Sequence, residues 1–194
     1  MARIAHLPIS GYTAMPWRNG VGTTLEIAID GTRADDSSAG APFLWRLSMA
    51  DLAGDGPFSQ IANVDRIIVL LAGTGVELTI NGAPPAALRR HEAISFPGDM
   101  PTSMTMAPGR GRDLNLMWDR TRVIGRVDVL RAGDCALRVD APIAFAVALG
   151  GRTAIAVDDD EHVLGEQETM RLEDGCGRFQ VLDGEVYLAM IAHR

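Results

Sequence analysis

Residues 71–82 read Leu-Ala-Gly-Thr-Gly-Val-Glu-Leu-Thr-Ile-Asn-Gly, and residues 149–158 read Leu-Gly-Gly-Arg-Thr-Ala-Ile-Ala-Val-Asp. Each stretch places a Gly-containing turn before a short run in which apolar side chains alternate with other residues. This alternation is typical of a β-strand, because successive side chains of a strand point to opposite faces. The two stretches therefore predict the same local structure, a turn followed by a strand, at two places in the chain.

The similarity between the two halves continues beyond these stretches. A polar segment follows each one, and then comes an apolar strand that ends in a turn, Ile94–Asp99 in the first half and Met170–Gly175 in the second. The offset between the halves is about 77 residues. A strand–turn–strand unit that occurs twice predicts two related barrels in tandem.

The rest of the chain shows the same pattern of short predicted strands separated by turns. Its 21 Gly and 10 Pro separate about a dozen short β-branched or alternating runs. No window longer than about ten residues keeps a helical period, so helix content should be minor. We predict an all-β chain with residues 1–120, N-terminal strands included, in a first barrel. Residues 121–194 should form a second, smaller barrel, and the two should pack as one compact unit. Residues 31–42 are expected to form an exposed, mobile loop.

The charge of the chain excludes several classes of protein. Its 194 residues carry a formal net charge of −7 and include no lysine. No block of basic residues offers the clustered positive field that nucleic acids or anionic membranes need, so neither is an expected partner. The longest clean apolar run, Ile67–Ala72, is too short to cross a bilayer. Since the N-terminus has no signal-peptide pattern, we expect a cytoplasmic location.

The residues that usually carry metal or nucleophilic chemistry are sparse. Cys135 and Cys176 are wrongly spaced for zinc and are expected to be reduced, at least partly buried thiols. The four histidines form no His-x-His pair, and His91 is expected to be an exposed turn residue. We therefore predict no metal and no cofactor. No nucleophile motif is present either, although a single carboxylate, Glu26 or Asp113, would suffice as a general base.

On each of three predicted strands, polar side chains lie on one face and apolar side chains on the other. Arg46 and Ser48 lie on one face of their strand, and Glu26 and Asn115 lie on the polar faces of two others. This pattern has two interpretations. Either the polar faces contact water, as in a half-buried antiparallel sheet, or they line a lumen that holds a small ligand while the apolar faces pack against the other barrel.

Several segments resemble the HutD/Ves family of bacterial proteins. The segments are Met15–Ile27, similar to the family's PW(K/R)NGGG-T-EI signature, Trp45–Ala50, Asp55–Ser59, Asp65-Arg66, Phe96–Asp99 and Arg112–Met117. They follow the family's order over roughly residues 10–118. Val21 stands where the family usually has a third glycine, which puts a positive φ at that position in doubt. The resemblance implies a bicupin fold, that is, two RmlC-like jelly rolls (double-stranded β-helices) in tandem, with no required metal.

The resemblance also implies an association with histidine utilisation, in which the family is thought to bind an intermediate such as formylglutamate or urocanate and to limit flux. We expect no catalytic residue and a ligand site formed by Asn19, Glu26, Arg46, Ser48, Arg66 and Asn115. The two arginines are the main candidates, because an inward guanidinium needs a carboxylate. Either a ligand or an acidic residue, Glu26 or Asp113, supplies it.

Large aromatic side chains in the same segments have a structural interpretation. Trp17 and Trp45 are more typical of core anchors than of ligand-stacking groups. Asp55–Ser59 predicts a tight turn that points Phe58 inward.

These observations favour a non-catalytic binder of a small anionic metabolite of histidine catabolism. Two alternatives stay open. One is a metal-independent cupin enzyme, an isomerase or hydrolase acting on a small carboxylate. The other is a protein-interaction module. A homodimer is also left open, since no sequence feature fixes the oligomeric state.

Overall fold

The chain forms β-strands throughout the part that the computed structural model describes, residues 3–17, 22–31, 43–174 and 177–194. Within these residues the helical structure is one 3-10 turn, Ile9–Gly11. The predicted loop at residues 31–42 and Cys176 lie almost wholly outside the described residues. No helix in the described ranges is long and apolar enough to span a membrane.

The chain divides into two compact units. One, called the first barrel below, comprises Thr13–Val123. The other, the second barrel, comprises Ile124–His193 together with the described residues up to Tyr12. The strand at Arg3–Leu7 belongs to the second barrel because it pairs along its whole length with Thr169–Glu173. The sequence prediction had placed all N-terminal strands in the first barrel. A lone edge strand carries no sequence signal for its partner, since the pairing is made by backbone groups.

The first barrel consists of two antiparallel sheets. Its strands, β2 to β11, cover Thr13–Pro16, Thr23–Gly31, Phe43–Leu52, Gly56–Pro57, Val64–Ala72, Val76–Ile80, Ala86–Leu88, Ala93–Pro97, Thr102–Met106 and Gly111–Asp119. The six-stranded sheet has the order β2-β3-β4-β11-β6-β9, and the four-stranded sheet has the order β5-β10-β7-β8. Asn81 and Gly82 both have positive φ at the end of β7, and Ala83 N–H donates to the Ile80 carbonyl at 3.0 Å. This is the type I′ turn that Asn-Gly favours.

The second barrel repeats this plan. Its strands are β1, Arg3–Leu7, and β12 to β19, which cover Val123–Arg131, Leu137–Arg138, Ile143–Ala148, Thr153–Val157, Asp160–Leu164, Thr169–Glu173, Arg178–Asp183 and Glu185–His193. The sheet orders are β1-β17-β14-β19-β12 and β13-β18-β15-β16. Strands β7 and β15, and likewise β9 and β17, begin about 76–77 residues apart. The offset in the sequence therefore marks the structural repeat.

The interiors of the two barrels differ. In the second barrel, apolar side chains from both sheets form one buried cluster that contains Val139, Ala144, Ala146, Ala148, Ile155, Val157, Leu164, Met170, Leu172, Phe179, Val181, Val186 and Leu188. In the first barrel the apolar cluster is smaller and contains Leu52, Ile68, Leu70, Val76, Leu78, Leu88, Phe96 and Met104. The remaining part of the first interior carries polar side chains, which form the site described next.

Candidate functional site

A cavity of about 720 Å³ lies in the first barrel. Its polar lining comes from strands β3, β4, β6 and β11 of the six-stranded sheet and from the segment 53–59. Four lining residues were expected from the sequence to bind a ligand: Arg46, Ser48, Arg66 and Asn115. The polar faces of these strands thus surround a cavity within the barrel.

Strand register brings these side chains to one face of the sheet. Asn115 on β11 is directly opposite Ser48 on β4 and Ile68 on β6. Met117, two residues along β11, is opposite both Arg46 and Arg66. Directly opposed residues of an antiparallel pair point to the same side, and diagonal neighbours stay within reach of long side chains. The two arginines therefore flank Met117 from either side and are diagonal neighbours of Asn115.

Arg66 is held by two of the other motif segments that the sequence singled out, Asp55–Ser59 and Phe96–Asp99. Its guanidinium carbon lies 4.9 Å from the ring centre of Phe58 and 5.5 Å from that of Phe96. Its Nη1 donates a long hydrogen bond of 3.5 Å to the Ser59 carbonyl. A Cβ at Gly98 would lie 3.1 Å from the Arg66 side chain, so glycine in Phe96–Asp99 leaves room for the arginine stem. Residues of these segments form a pocket around the buried guanidinium, called the Arg66 pocket below.

The charge of Arg66 is not neutralised by a direct ion pair. The residue is 5% exposed, and no carboxylate oxygen in the described part of the chain lies within 4.0 Å of it. Burial lowers the pKa of Arg66 to about 10; Arg46 acts in the same direction and Asp113 opposes it. The guanidinium is still protonated at neutral pH, so the Arg66 pocket holds a full positive charge.

Asp113 faces the same cavity from β11. It is 1% exposed and lies beside the point where the pairing of β11 with β6 shifts register, between Arg112 and Asp113. Burial raises the pKa of Asp113 to about 6, against the lowering effects of Arg66 and of the Ala50 backbone amide. The first barrel therefore contains a carboxyl that gains or loses its proton near physiological pH.

Arg46 has a carboxylate partner within the chain. Its Nε donates to Glu26 Oε2 at 3.0 Å, with side-chain exposures of 21% and 2%. Its Nη2 also contacts Met15 Sδ at 3.8 Å. The sequence left open whether Glu26 or a ligand would neutralise this arginine, and Glu26 does so. Arg46 nevertheless lines the cavity, whereas Glu26 is not among its lining residues.

Trp17 forms part of the cavity wall. Its Nε1 donates to Thr24 Oγ1 at 2.9 Å, and a Cβ at Gly22 would lie 2.9 Å from the indole ring. Glycine at this position therefore lets the indole pack against the backbone. Trp45, by contrast, is a buried side chain with 3% exposure on the face opposite Arg46, as expected of a core anchor. The prediction that both are core anchors holds for Trp45, while Trp17 borders the site.

Three buried polar atoms at the cavity have no hydrogen-bond partner among the described residues: Arg66 Nε, Asp113 Oδ1 and Asn115 Oδ1. Leaving a buried polar atom unpaired costs about 1–3 kcal/mol. Native proteins avoid this cost except where a ligand, ion or water completes the bonding. Three residues that line one cavity therefore each carry a buried polar atom, one donor and two acceptors, without a protein partner.

The predicted site residues have different positions in this geometry. Arg46, Ser48, Arg66 and Asn115 line the cavity, Glu26 supports Arg46, and Asn19 lies outside the described residues. Sequence reasoning did not include Asp113 and Phe58 among the binding residues, although both line the cavity. The signal for Asp113 was available, since it shares a strand face with Asn115.

Other chemical groups lie away from the cavity. Among the described residues, no three His, Cys, Asp or Glu side chains gather as metal ligands. Cys135 is a free thiol and exposed, so the expectation that it is partly buried was wrong; it follows a polar turn rather than a strand interior. His91 is half-buried in a turn with φ of 62°, which also differs from the exposed position expected.

Comparison with known proteins identifies the family. The HutD family model matches residues 10–189. The chain belongs to the HutD family. This family is associated with the histidine-utilisation locus.

Curated relatives match part of the chain. An uncharacterised 21.2 kDa protein in the hutC 3′ region of Pseudomonas putida is 36% identical over 127 residues, 66% of this chain and 64% of that protein. Protein Ves of Cronobacter sakazakii is 39% identical over 114 residues, 58% of this chain and 59% of that protein. The aligned part of the HutD chain thus spans less than two thirds of the length of each of these relatives.

Solved structures match the whole chain. A conserved protein of unknown function from Pseudomonas aeruginosa PAO1 has a TM-score of 0.84 at 31% identity and covers 99% of both chains. HutD from Pseudomonas fluorescens SBW25, in a formate condition, has a TM-score of 0.84 at 27% identity and covers 99% of this chain and 100% of that one. A cupin 2 conserved barrel domain protein from Leptotrichia buccalis shares the fold at a TM-score of 0.55, 12% identity and 89% coverage of both chains. The protein is a tandem cupin.

Proposed function

We propose that the first barrel binds a small anionic metabolite of histidine catabolism, similar to formylglutamate or urocanate, and that this binding limits flux through the pathway without catalysis. The family supplies the metabolic setting. The cavity supplies the chemistry, because it combines a buried cation with polar groups that need partners.

The observation that carries this proposal is the state of Arg66. A buried guanidinium with no carboxylate within 4.0 Å among the described residues and an unpaired Nε favours an anion as its partner. A ligand carboxylate accepts two parallel hydrogen bonds from such a group. The cavity of about 720 Å³ falls within the range of roughly 300–1,000 Å³ that is usual for small-molecule sites.

The walls favour a ligand that also has an apolar or planar part. Trp17, Phe58 and Met117 line the cavity beside the polar groups. Ligand sites usually combine such walls with a few polar groups that fix orientation. An amino-acid-derived carboxylate of five to six carbons would match both features.

Thermal-shift measurements test the proposal. Formylglutamate, urocanate, glutamate and histidine are added at millimolar concentration near neutral pH. We expect at least one carboxylate to raise the melting temperature of the wild-type protein, because a ligand that binds only the folded state stabilises it. The shift should disappear in Arg66→Met and persist in Arg126→Met, whose arginine is 71% exposed. No shift with any of the four compounds contradicts the proposal.

A metal-independent enzyme is the second candidate, and Asp113 is the observation that favours it. A carboxyl with a pKa of about 6 is suited to accept and return a proton near neutral pH. Glu26 is less suited, because it is paired with Arg46 and does not line the cavity. Conversion of a pathway carboxylate that is lost in Asp113→Asn would establish catalysis, and turnover equal to that of the buffer blank would exclude it for the compounds tried.

A further inference from the structure

Asp113 and Asn115 both line the cavity, and each carries a buried acceptor without a hydrogen-bond partner among the described residues. The two residues are separated by one position on β11 and therefore point to the same face. Asp113 is 1% and Asn115 4% exposed. The Oδ1 atom of each has no hydrogen-bond partner among the described residues. Neither acceptor can be satisfied by a carboxylate, which only accepts hydrogen bonds when it is ionised.

The charges around Asp113 define what kind of ligand fits. Arg66 on β6 influences its ionisation but lies beyond ion-pair distance. Arg46 on β4 is neutralised by Glu26 on β3 at 3.0 Å. Asp55 lines the cavity too, but it is exposed and its Oδ1 accepts the Met106 N–H at 2.9 Å. One cation and one carboxyl thus remain in the cavity, close enough to interact but not joined.

We propose that Asp113 makes the site selective for small carboxylates that also carry an N–H donor, with the ligand carboxylate on Arg66 and the donor on the Asp113 and Asn115 oxygens. This inference rests on the proposed function and deepens it. A carboxylate without a donor would bring a second negative charge next to Asp113 and leave both acceptors unpaired. A carboxylate with one N–H pairs with Arg66 and with one of the two acceptors, and a second N–H would complete the other acceptor.

The ionisation of Asp113 gives the selectivity a pH dependence. Because burial raises the pKa of Asp113 to about 6, the group is ionised at about pH 8 and mostly protonated at about pH 5. The protonated form no longer repels an anion, and it can donate a hydrogen bond itself. The preference for a donor should therefore be strong at the higher pH and weak at the lower one.

Two isosteric probes test the selectivity. N-acetylglycine and 4-oxopentanoate have the same carboxylate, the same carbonyl and the same length, and differ by an N–H in place of a CH₂. Their affinities are measured by titration calorimetry at about pH 8 and about pH 5. In the wild-type protein we expect N-acetylglycine to bind about tenfold tighter at the higher pH, as one hydrogen bond to a charged acceptor would give. At the lower pH the ratio should fall to about two or less as Asp113 takes up its proton.

A matched pair of variants assigns the effect to Asp113. Asp113→Asn should lose the pH dependence of the ratio and bind 4-oxopentanoate more tightly than the wild type at about pH 8. Asp65→Asn makes the same chemical change next to Arg66, at a residue that pairs with Arg120 at 2.7 Å and does not line the cavity. It should keep the wild-type ratio. If Asp113→Asn does not fold, the pH series on the wild-type protein gives the same information.

The possible outcomes distinguish failure of the donor requirement from failure of the proposed function. Equal affinities for the two probes at about pH 8, or no binding of N-acetylglycine, overturn the donor requirement. A pathway carboxylate that still binds in the thermal-shift panel would then leave the proposed function standing. If no carboxylate binds in either experiment, the proposed function fails together with the inference.

Discussion

The central strand pairs of the two barrels are built alike but carry different side chains. In the first barrel, β6 and β11 bring together the inward pairs Arg66–Met117, Ile68–Asn115 and Leu70–Asp113. In the second barrel, β14 and β19 bring together Ala144–Met190, Ala146–Leu188 and Ala148–Val186. Three polar positions of one barrel are thus apolar in the other. The second interior is closed by packing, whereas the first has a cavity.

This difference separates what the fold needs from what the site needs. A cupin barrel closes around a buried apolar cluster, as the second barrel does. Arg66, Asp113 and Asn115 are therefore not required for the architecture. Buried charges and unpaired amides lower stability, so their presence in the first barrel points to a function in binding. The comparison predicts what happens when residues are exchanged between the barrels.

The largest effect is expected when a polar residue enters the second barrel. Leu188→Asn puts an amide at the position equivalent to Asn115, inside the buried apolar cluster that contains Leu188. We expect a loss of about 3–5 kcal/mol in the free energy of unfolding, because the amide is buried without partners. Urea denaturation followed by fluorescence measures it. The reverse exchange, Asn115→Leu, should change stability by less than about 1 kcal/mol in the absence of ligand. Equal losses in both variants would show that the two interiors do not differ as described.

The next effect concerns ligand affinity and the charge of Arg66. Arg66→Met copies the apolar character of the second barrel and should weaken binding of a carboxylate by about 100-fold, as expected for loss of a charge-assisted bidentate contact. Calorimetric titration with whichever carboxylate stabilises the wild type gives the ratio. Asn115→Leu serves as the intermediate case, with a loss of about tenfold. Undiminished affinity in Arg66→Met would place the ligand elsewhere.

The third effect is a dependence of stability on pH that belongs to the first barrel. The pKa of Asp113 is about 6 in the folded state against the ordinary value of 3.8 for an aspartate, so the folded protein binds this proton more tightly than the unfolded chain. The group's contribution to stability therefore falls as pH rises from about 4 to 6 and stays low above that range. Asp113→Asn should be more stable than the wild type at about pH 7.5, on the order of 2 kcal/mol. The gap should close near pH 4, as measured by thermal unfolding.

A carboxyl of the same barrel gives the opposite sign and serves as the control. The hydrogen bond from Arg120 holds the pKa of Asp99 below its usual value. This contribution is present at neutral pH and is lost as pH falls through the lowered pKa. Asp99→Asn should therefore reduce stability at about pH 7.5 and converge with the wild type in acid. A gap of the same sign for both variants would refute the assignment of the raised pKa to Asp113.

The smallest effect concerns the aromatic wall of the Arg66 pocket. Phe58→Leu removes the ring 4.9 Å from the Arg66 guanidinium and should weaken ligand binding by about three- to fivefold, corresponding to about 1 kcal/mol. The second barrel offers a matched contact, since the Arg171 guanidinium lies 5.7 Å from the Phe145 ring centre. Phe145→Leu should lower stability but leave affinity unchanged. If both variants lose affinity equally, the loss of affinity reflects lower stability and not the removal of a ring from the Arg66 pocket.

Particular residues show how far sequence reasoning reached the site. Arg46, Ser48 and Asn115 were found because strand alternation sorts polar side chains onto one face. Arg66 was found in a segment that resembles the HutD/Ves family. Asp113 obeys the same alternation, yet its role depends on a pKa that only its burial reveals. Trp17 was interpreted as a core anchor because composition does not distinguish a wall that faces a cavity from one that faces packed atoms. The pairing of Arg46 with Glu26 depends on strand register, which the sequence left open.

The sequence by itself determined the all-β tandem architecture, the structural offset between the barrels and the membership of the HutD family. These follow from local patterns, namely alternation, turn residues and recurrent motifs, which act over a few neighbouring positions. Only the tertiary structure decided that the first N-terminal strand joins the second barrel, that Arg66 is buried without a carboxylate partner, and that Asp113 lines the same cavity. Those facts depend on contacts between residues far apart in the chain, such as Arg66 and Asp113, and on burial. Burial sets both the charge state of a group and the free energy of leaving it unpaired, and it exists only once the barrel has closed.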